Sequence, residues 1–167
     1  MADLDEQTHE TRIRRAIPAD AGSLGQLGAL LVQEHHDFDE ARFLAPSPDT
    51  PEMYASFLAS QLIDPSVVML VAEHDGRVVG YAYGAIEGHD YMALRGPAAV
   101  LHDIIVTPDY RRRGVGRALL DAMLAALASH PVPRVVLSTA QQNTPAQRLF
   151  ERMGFRRTMV EMTRDLK

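Results

Sequence analysis

The chain has 167 residues, is 46% hydrophobic, carries a formal net charge of −5 and contains no cysteine. Its length and apolar share suit one globular domain with a sizeable core and exclude a disordered chain. Acidity argues against a broad nucleic-acid surface. The missing cysteines exclude disulfides and thiolate chemistry, and no apolar run reaches the ~18–20 residues that span a bilayer.

The opening MADLDEQTHE is polar, acidic and without the apolar core of a signal peptide. We expect a flexible tail over residues 1–10, one domain over 11–167, a cytoplasmic location by default and no membrane partner. TRIRRAI (11–17) reads as a short strand. Pro18 suits a first helical turn, and Leu24, Leu27, Gly28 and Leu31 repeat at helical spacing, which predicts a helix over about 19–34. Glycines 22, 25 and 28 weaken that helix by about 1 kcal/mol each relative to alanine. HHDFDEARFLAPSPDT then reads as a polar loop. Thr50 suits an N-cap with Pro51 behind it, and Tyr54, Phe57, Leu58 and Leu62 mark one face of a helix over about 51–63.

VVMLVAEHDGRVVGYAYGAIE is the clearest strand signal, two β-rich runs about the turn dipeptide Asp75-Gly76. GHDYMALRGP reads as a loop and AAVLHDIIV as another strand. A helix is predicted from Gly114 to about Ala128, ended by His130-Pro131. RVVLSTA is a strand. Asn143 or Thr144 caps a helix of about ten residues closed by Gly154, and FRRTMVEMTRDL alternates like a last strand. The order β-α-α-β-β-β-α-β-α-β implies an α/β fold with a mixed sheet and helices on its faces.

The run YRRRGVGRALL sets three arginines and two glycines at the mouth of a helix. A helix start leaves amides unpaired and carries partial positive charge, and glycine lets an anion approach the backbone closely. The stretch is therefore a candidate phosphate cradle. It fits neither a Walker loop, since no Gly-Lys occurs, nor a dinucleotide fingerprint, since position 119 is Leu.

VLHDIIVTPDYRRRGVGRALL resembles the acetyl-CoA-binding motif of the GNAT superfamily of N-acetyltransferases, [RQ]-x-x-G-x-[GA], through Arg111, Gly114 and Gly116. QNTPAQRLFERMGF resembles the family's second motif through Asn143, Ala146, Leu149, Gly154 and Phe155. The resemblance is good over about residues 66–156. It implies the GNAT fold, a mostly antiparallel sheet in which one parallel pair splays to admit the pantetheine arm. Acetyl-CoA is then the cosubstrate, with no metal. By that resemblance, backbone of Ile104, Ile105 and Val106 would pair with the arm. Arg111, Arg112, Arg113, Gly114, Val115, Gly116, Arg117 and Ala118 would line the pyrophosphate. Asn143, Ala146 and Phe150 would border the arm.

Acetyl transfer requires a neutral amine, a donor to the thioester oxygen and a proton for the leaving thiolate. An Ile105 amide is the expected donor. His102 is the first candidate base. Simple alternation puts Val100, His102, Ile104 and Val106 on one face with Asp103 on the other. Glu73 and Glu87 are alternative bases acting through water. The family's usual acid is a tyrosine whose position here is Phe150, so water, another hydroxyl or the product ammonium must serve, or the protein binds the thioester without efficient turnover. Only twelve residues follow Phe155, fewer than many family members have there.

Acceptor residues are expected in His35, His36, Asp37 and Phe38, and in Glu87, His89 and Tyr91, two acidic, aromatic-bearing segments that suit a cationic amine. The histidines also permit a metal reading, which we rank below solvated loop residues. The expected function is an N-acetyltransferase on a small-molecule cationic amine. A protein N-terminus or lysine is a second acceptor class, and a non-catalytic acyl-CoA-binding module is the alternative that Phe150 allows. No nucleic-acid partner is expected, and the sequence leaves a homodimer open.

Overall fold

The structure, a computed structural model, describes residues 10–166. The tail expected over residues 1–10 lies, except for Glu10, outside the described residues. In chain order the elements are β1 (Arg12–Arg15), α1 (Ala21–Phe38), α2 (Thr50–Gln61), β2 (Val67–His74), β3 (Arg77–Glu87), β4 (Ala98–Val106), α3 (Val115–Ala128), β5 (Val135–Leu137) and α4 (Thr144–Arg152). Single 3-10 turns at Pro18–Asp20 and Pro108–Tyr110 lead toward α1 and α3. The sheet order is β1-β2-β3-β4-β5, antiparallel throughout except for the parallel β4-β5 pair.

β2 and β3 meet through Asp75 and Gly76, both left-handed at φ 49° and 73°, the twist a tight hairpin requires. β2 is apolar without alternation because both its faces are covered. On one face Leu119, Leu120, Met123 and Leu127 of α3 and Phe150 of α4 pack over Val68, Leu70, Ala82 and Leu101. On the other, Leu24, Leu27 and Leu58 of α1 and α2 pack over Met69, Val71, Tyr81 and Tyr83.

Two expectations need correction. α1 runs four residues past the predicted end, so His35, His36, Asp37 and Phe38 are helical. Nothing in HHDF breaks a helix, and His35 Nδ1 lies 2.8 Å from the Leu31 carbonyl one turn back. The predicted last strand does not form. Residues 155–166 pair with no strand, and side-chain pairs Arg157–Glu151 and Arg42–Glu161 hold the segment. Alternation without a partner strand is not sufficient for a sheet. Among the described residues no helix is long and apolar enough to cross a membrane.

The glycines that weaken α1 as an isolated helix let it lie close on α2. A Cβ at Gly28 would sit 2.1 Å from the Tyr54 ring, and one at Gly25 would sit 2.3 Å from the Pro51 carbonyl oxygen. Gly28→Ala is expected to lower stability by about 1–3 kcal/mol in urea unfolding through overpacking. Gly22→Ala, with nothing within 4 Å, is expected to raise it by up to about 1 kcal/mol.

Asp20 is 6% exposed, accepts the Ile17 amide at 2.8 Å and takes both Arg14 terminal nitrogens at 2.8 and 2.9 Å. The Arg14 hydrogen bonds hold its carboxyl below the usual range. A depressed carboxyl stabilises the fold above its unfolded pKa of about 3.9 and loses that contribution as pH falls through the lower folded value. Asp20→Asn should therefore lower the melting temperature at pH 7 and flatten the acid limb of stability against pH.

Candidate functional site

β4 and β5 are paired only from Ala99↔Val135 to Leu101↔Leu137. β4 continues to Val106 against β3 alone, with Asp103↔Tyr83, Ile104↔Ala82 and Ile105↔Tyr81. Two parallel neighbours thus part after Leu101, and β4 beyond that point has a ladder on one side only. The gap is a cleft of about 150 Å³ whose lining includes Leu31, His35, His102, Asp103, Ile104, Thr139, Asn143, Ala146 and Phe150. Ser138 and Thr139, predicted as strand, leave the ladder and line this cleft.

The strand leads into the arginine–glycine turn. Gly114 caps α3 at φ 83°, and Arg112 is also left-handed at φ 60°. Tyr110 and Arg111 amides close the 3-10 turn, and the Ala118 amide is the first to bond within α3, to the Gly114 carbonyl. Among the described residues, the backbone amides of 112–117 have no recorded acceptor. A row of unpaired N–H groups at a helix start is an anion site. The arginine side chains mostly serve other partners. Arg111 Nε donates to the Val106 carbonyl at 2.8 Å and its Nη2 pairs with Glu34 of α1. Arg113 lies over the Tyr110 ring, and Arg117 pairs with Asp121 at 3.6 Å.

The face assigned to His102 requires correction. The β3–β4 register shifts between Tyr83 and Gly84, where Asp103 opposes Tyr83 and Leu101 opposes Gly84. His102 is the extra residue of a β-bulge, and a bulge breaks simple alternation. Its ring stacks on Tyr83 at 5.0 Å. Asp103 Oδ2 accepts the Tyr81 hydroxyl at 2.7 Å. Tyr81 and Tyr83 share the α1–α2 face of the sheet, so His102 and Asp103 both turn toward it. Ile104 and Val106 pack on the α3 side. Alternation put Asp103 on its observed face, opposite Ile104, and misplaced His102, because nothing in LHDIIV marks an inserted residue.

Of the other expected bases, Glu87 is next to His102, although it is absent from the cleft lining. Its Oε1 lies 2.8 Å from His102 Nε2, and its Oε2 accepts Arg95 Nη2 at 2.8 Å. Glu73 is not; it pairs with Arg14 at 2.7 Å, opposes Arg12 in the ladder and is likewise absent from the cleft lining. A β1 arginine was not foreseen as its partner.

The acceptor residues divide. His35 lines the cleft and meets Phe38 and Phe43 edge-on. His36 Nδ1 lies 3.3 Å from the Phe43 carbonyl, and Asp37 accepts from Gln33 at 2.7 Å. His89 and Tyr91 stack on each other 6.0 Å apart, outside the cleft lining. Asn143 caps α4, its Oδ1 accepting the Ala146 amide at 3.3 Å, and it also lines the cleft.

A family model described as Acetyltransferase (GNAT) family matches residues 31–155. This chain belongs to the GNAT acetyltransferase family. An uncharacterized N-acetyltransferase of Mycobacterium tuberculosis, Rv2669, is 34% identical over 122 residues, covering 66% of this chain and 72% of that protein. A mutant of the BH1408 protein from Bacillus halodurans has the same fold at a TM-score of 0.81 and 18% identity, over 93% of this chain and 99% of that one. The aminoglycoside N-acetyltransferase AAC(6')-Iy, solved in complex with CoA, superposes at 0.71 with 18% identity, over 98% and 99%.

Burial pushes the Asp103 carboxyl of this GNAT protein above its usual value, while the Tyr81 hydrogen bond opposes the rise. Carboxyl NMR should show Asp103 titrating above the usual value of about 3.9. Removing the donor in Tyr81→Phe should move the midpoint higher still; a midpoint that falls would contradict this account.

Proposed function

We propose that this GNAT acetyltransferase carries the acetyl group of acetyl-CoA to a small cationic amine. The observation that carries the reading is the continuity of the β4–β5 gap with the unpaired amides of residues 112–117. A long thioester ending in a diphosphate has those two needs, an extended slot for its arm and a row of donors for its anion. Asn143, Ala146 and Phe150 would flank the arm on the α4 side. The backbone of Ile104 and Val106, which faces away from β3 on the β5 side, would meet it on the other. Ile105 is a hydrogen-bonded partner of Tyr81 in the β3 ladder, which removes it as the expected donor; the Val106 amide, on the open side, would stabilise charge on the carbonyl oxygen. The CoA complex of the aminoglycoside acetyltransferase supports the cosubstrate, and its named substrate class supports a polyamine-like acceptor.

The chemistry follows from the bulge. A carboxylate only accepts, so a neutral His102 would donate Nε2–H to Glu87 and keep Nδ1 as a lone pair. His102 then takes a proton from the acceptor ammonium. The freed amine nitrogen bonds to the acetyl carbon, the carbon–sulfur bond breaks, and the thiolate recovers a proton. Phe150 cannot supply it. Ser138 and Thr139 border the cleft with hydroxyls, and the amide nitrogen sheds a second proton after attack.

Acetyl-CoA at about 100 times its Kd should stabilise the fold by about 2.7 kcal/mol, seen as a raised melting temperature. His102→Ala should lower kcat at least about 10²-fold and leave that thermal shift intact. A variant rate equal to wild type across pH 6–9 would remove His102 as the base. If no amine or peptide accelerates thiol release while the thermal shift persists, the protein is an acyl-CoA-binding module.

A further inference from the structure

We propose that Asp103 seats the acceptor's ammonium group and thereby selects cationic over neutral amines, an inference that rests on the acetyl transfer proposed above. Asp103 is a partly buried carboxyl lining the cleft. Tyr81 of β3 occupies Oδ2, while Oδ1 has no hydrogen-bond partner among the described residues. Tyr54 of α2, His35 of α1 and its neighbour His102 face it electrostatically. Among the described residues no lysine or arginine forms an ion pair with Asp103. The other two carboxylates on strands of this sheet, Glu73 and Glu87, have Arg14 and Arg95.

An enclosed carboxyl without a cation is disfavoured as the anion, and it gains most from a cation that arrives with the ligand. Tyr81 fixes its orientation, since that ring is fully buried. The bulge turns it to the same face of the sheet as His102. An ammonium held at Asp103 is thus delivered beside the group that takes its proton. The acetylated nitrogen is neutral, so its charge attraction to Asp103 ends with the transfer.

The test is steady-state kinetics with spermidine and tyramine, cations at neutral pH, against O-methylhydroxylamine, which is uncharged there. Asp103→Asn should raise KM for the cations about tenfold, equivalent to about 1.4 kcal/mol. KM for acetyl-CoA and kcat/KM for O-methylhydroxylamine should hold. Cation KM values within about twofold of wild type would overturn the proposal. Should Asp103→Asn fail to fold, Tyr81→Phe keeps the carboxyl and removes its orienting donor. Its cation KM should rise while the neutral amine is unaffected, and equal changes for both amines would overturn the proposal. If no amine is acetylated, the functional reading fails separately, and calorimetry of spermidine into the protein decides the seat. Heat in wild type lost in Asp103→Asn supports it, and no heat in wild type overturns it.

Discussion

The parting of β4 from β5 after Leu101 is the constraint on which the site depends. A parallel pair normally continues until one strand ends, because each strand satisfies the other's backbone groups. Here β5 stops at Leu137 while β4 runs five residues further. The unpaired length is tolerable in a partly open cleft, where water can reach the backbone, and it becomes a binding surface for any ligand that offers amide-like partners. The same direction of chain then delivers the amides of 112–117 to the end of the slot. Slot and cradle come from one uninterrupted stretch, so their spacing is set by backbone geometry and not by side-chain packing.

The bulge at His102 adds the second half. A regular strand would have sent His102 and Asp103 to opposite faces, and one of them into the α3 core. The extra residue brings both to the side covered by α1 and α2, opposite Tyr81 and Tyr83. Glu87, at the end of β3, meets His102, and Arg95 of the loop that follows pairs with Glu87. A polar cluster therefore stands at the edge of an apolar core without breaking it, because only the polar ends meet the cleft.

What the sequence showed was local and strongly periodic. The Asp75-Gly76 hairpin, the apolar stripe of α3 and the Asn143 cap each rest on signals a few residues long. The fold order up to α4 and the arginine–glycine turn were therefore legible. The failures share a cause: each depends on a neighbour distant in sequence. His102 and Asp103 share a face because of a register slip against β3. Glu73 stands on β2, two strands from the gap, where Arg14 pairs with it. The last strand needed a partner that the fold does not present to it. The glycines of α1 looked unfavourable until α2 lay against them.

The arginine cluster of an acidic chain has a related explanation. Positive charge at the mouth of α3 suggests side chains reaching for phosphate, yet Arg111 spans the Val106 carbonyl and Glu34, Arg113 covers Tyr110, and Arg117 answers Asp121. Arg112 alone has no recorded side-chain partner among the described residues, and its left-handed backbone belongs to the turn itself. Most of this charge is spent on holding the loop's shape against α1, Tyr110 and its own helix. The groups left to meet an anion are the amides, whose positions the arginines fix. Arg111 has a further consequence, since the side chain that steadies the loop also binds the helix bearing His35. The proposed anion cradle and the helix that carries His35 are thereby linked by one guanidinium.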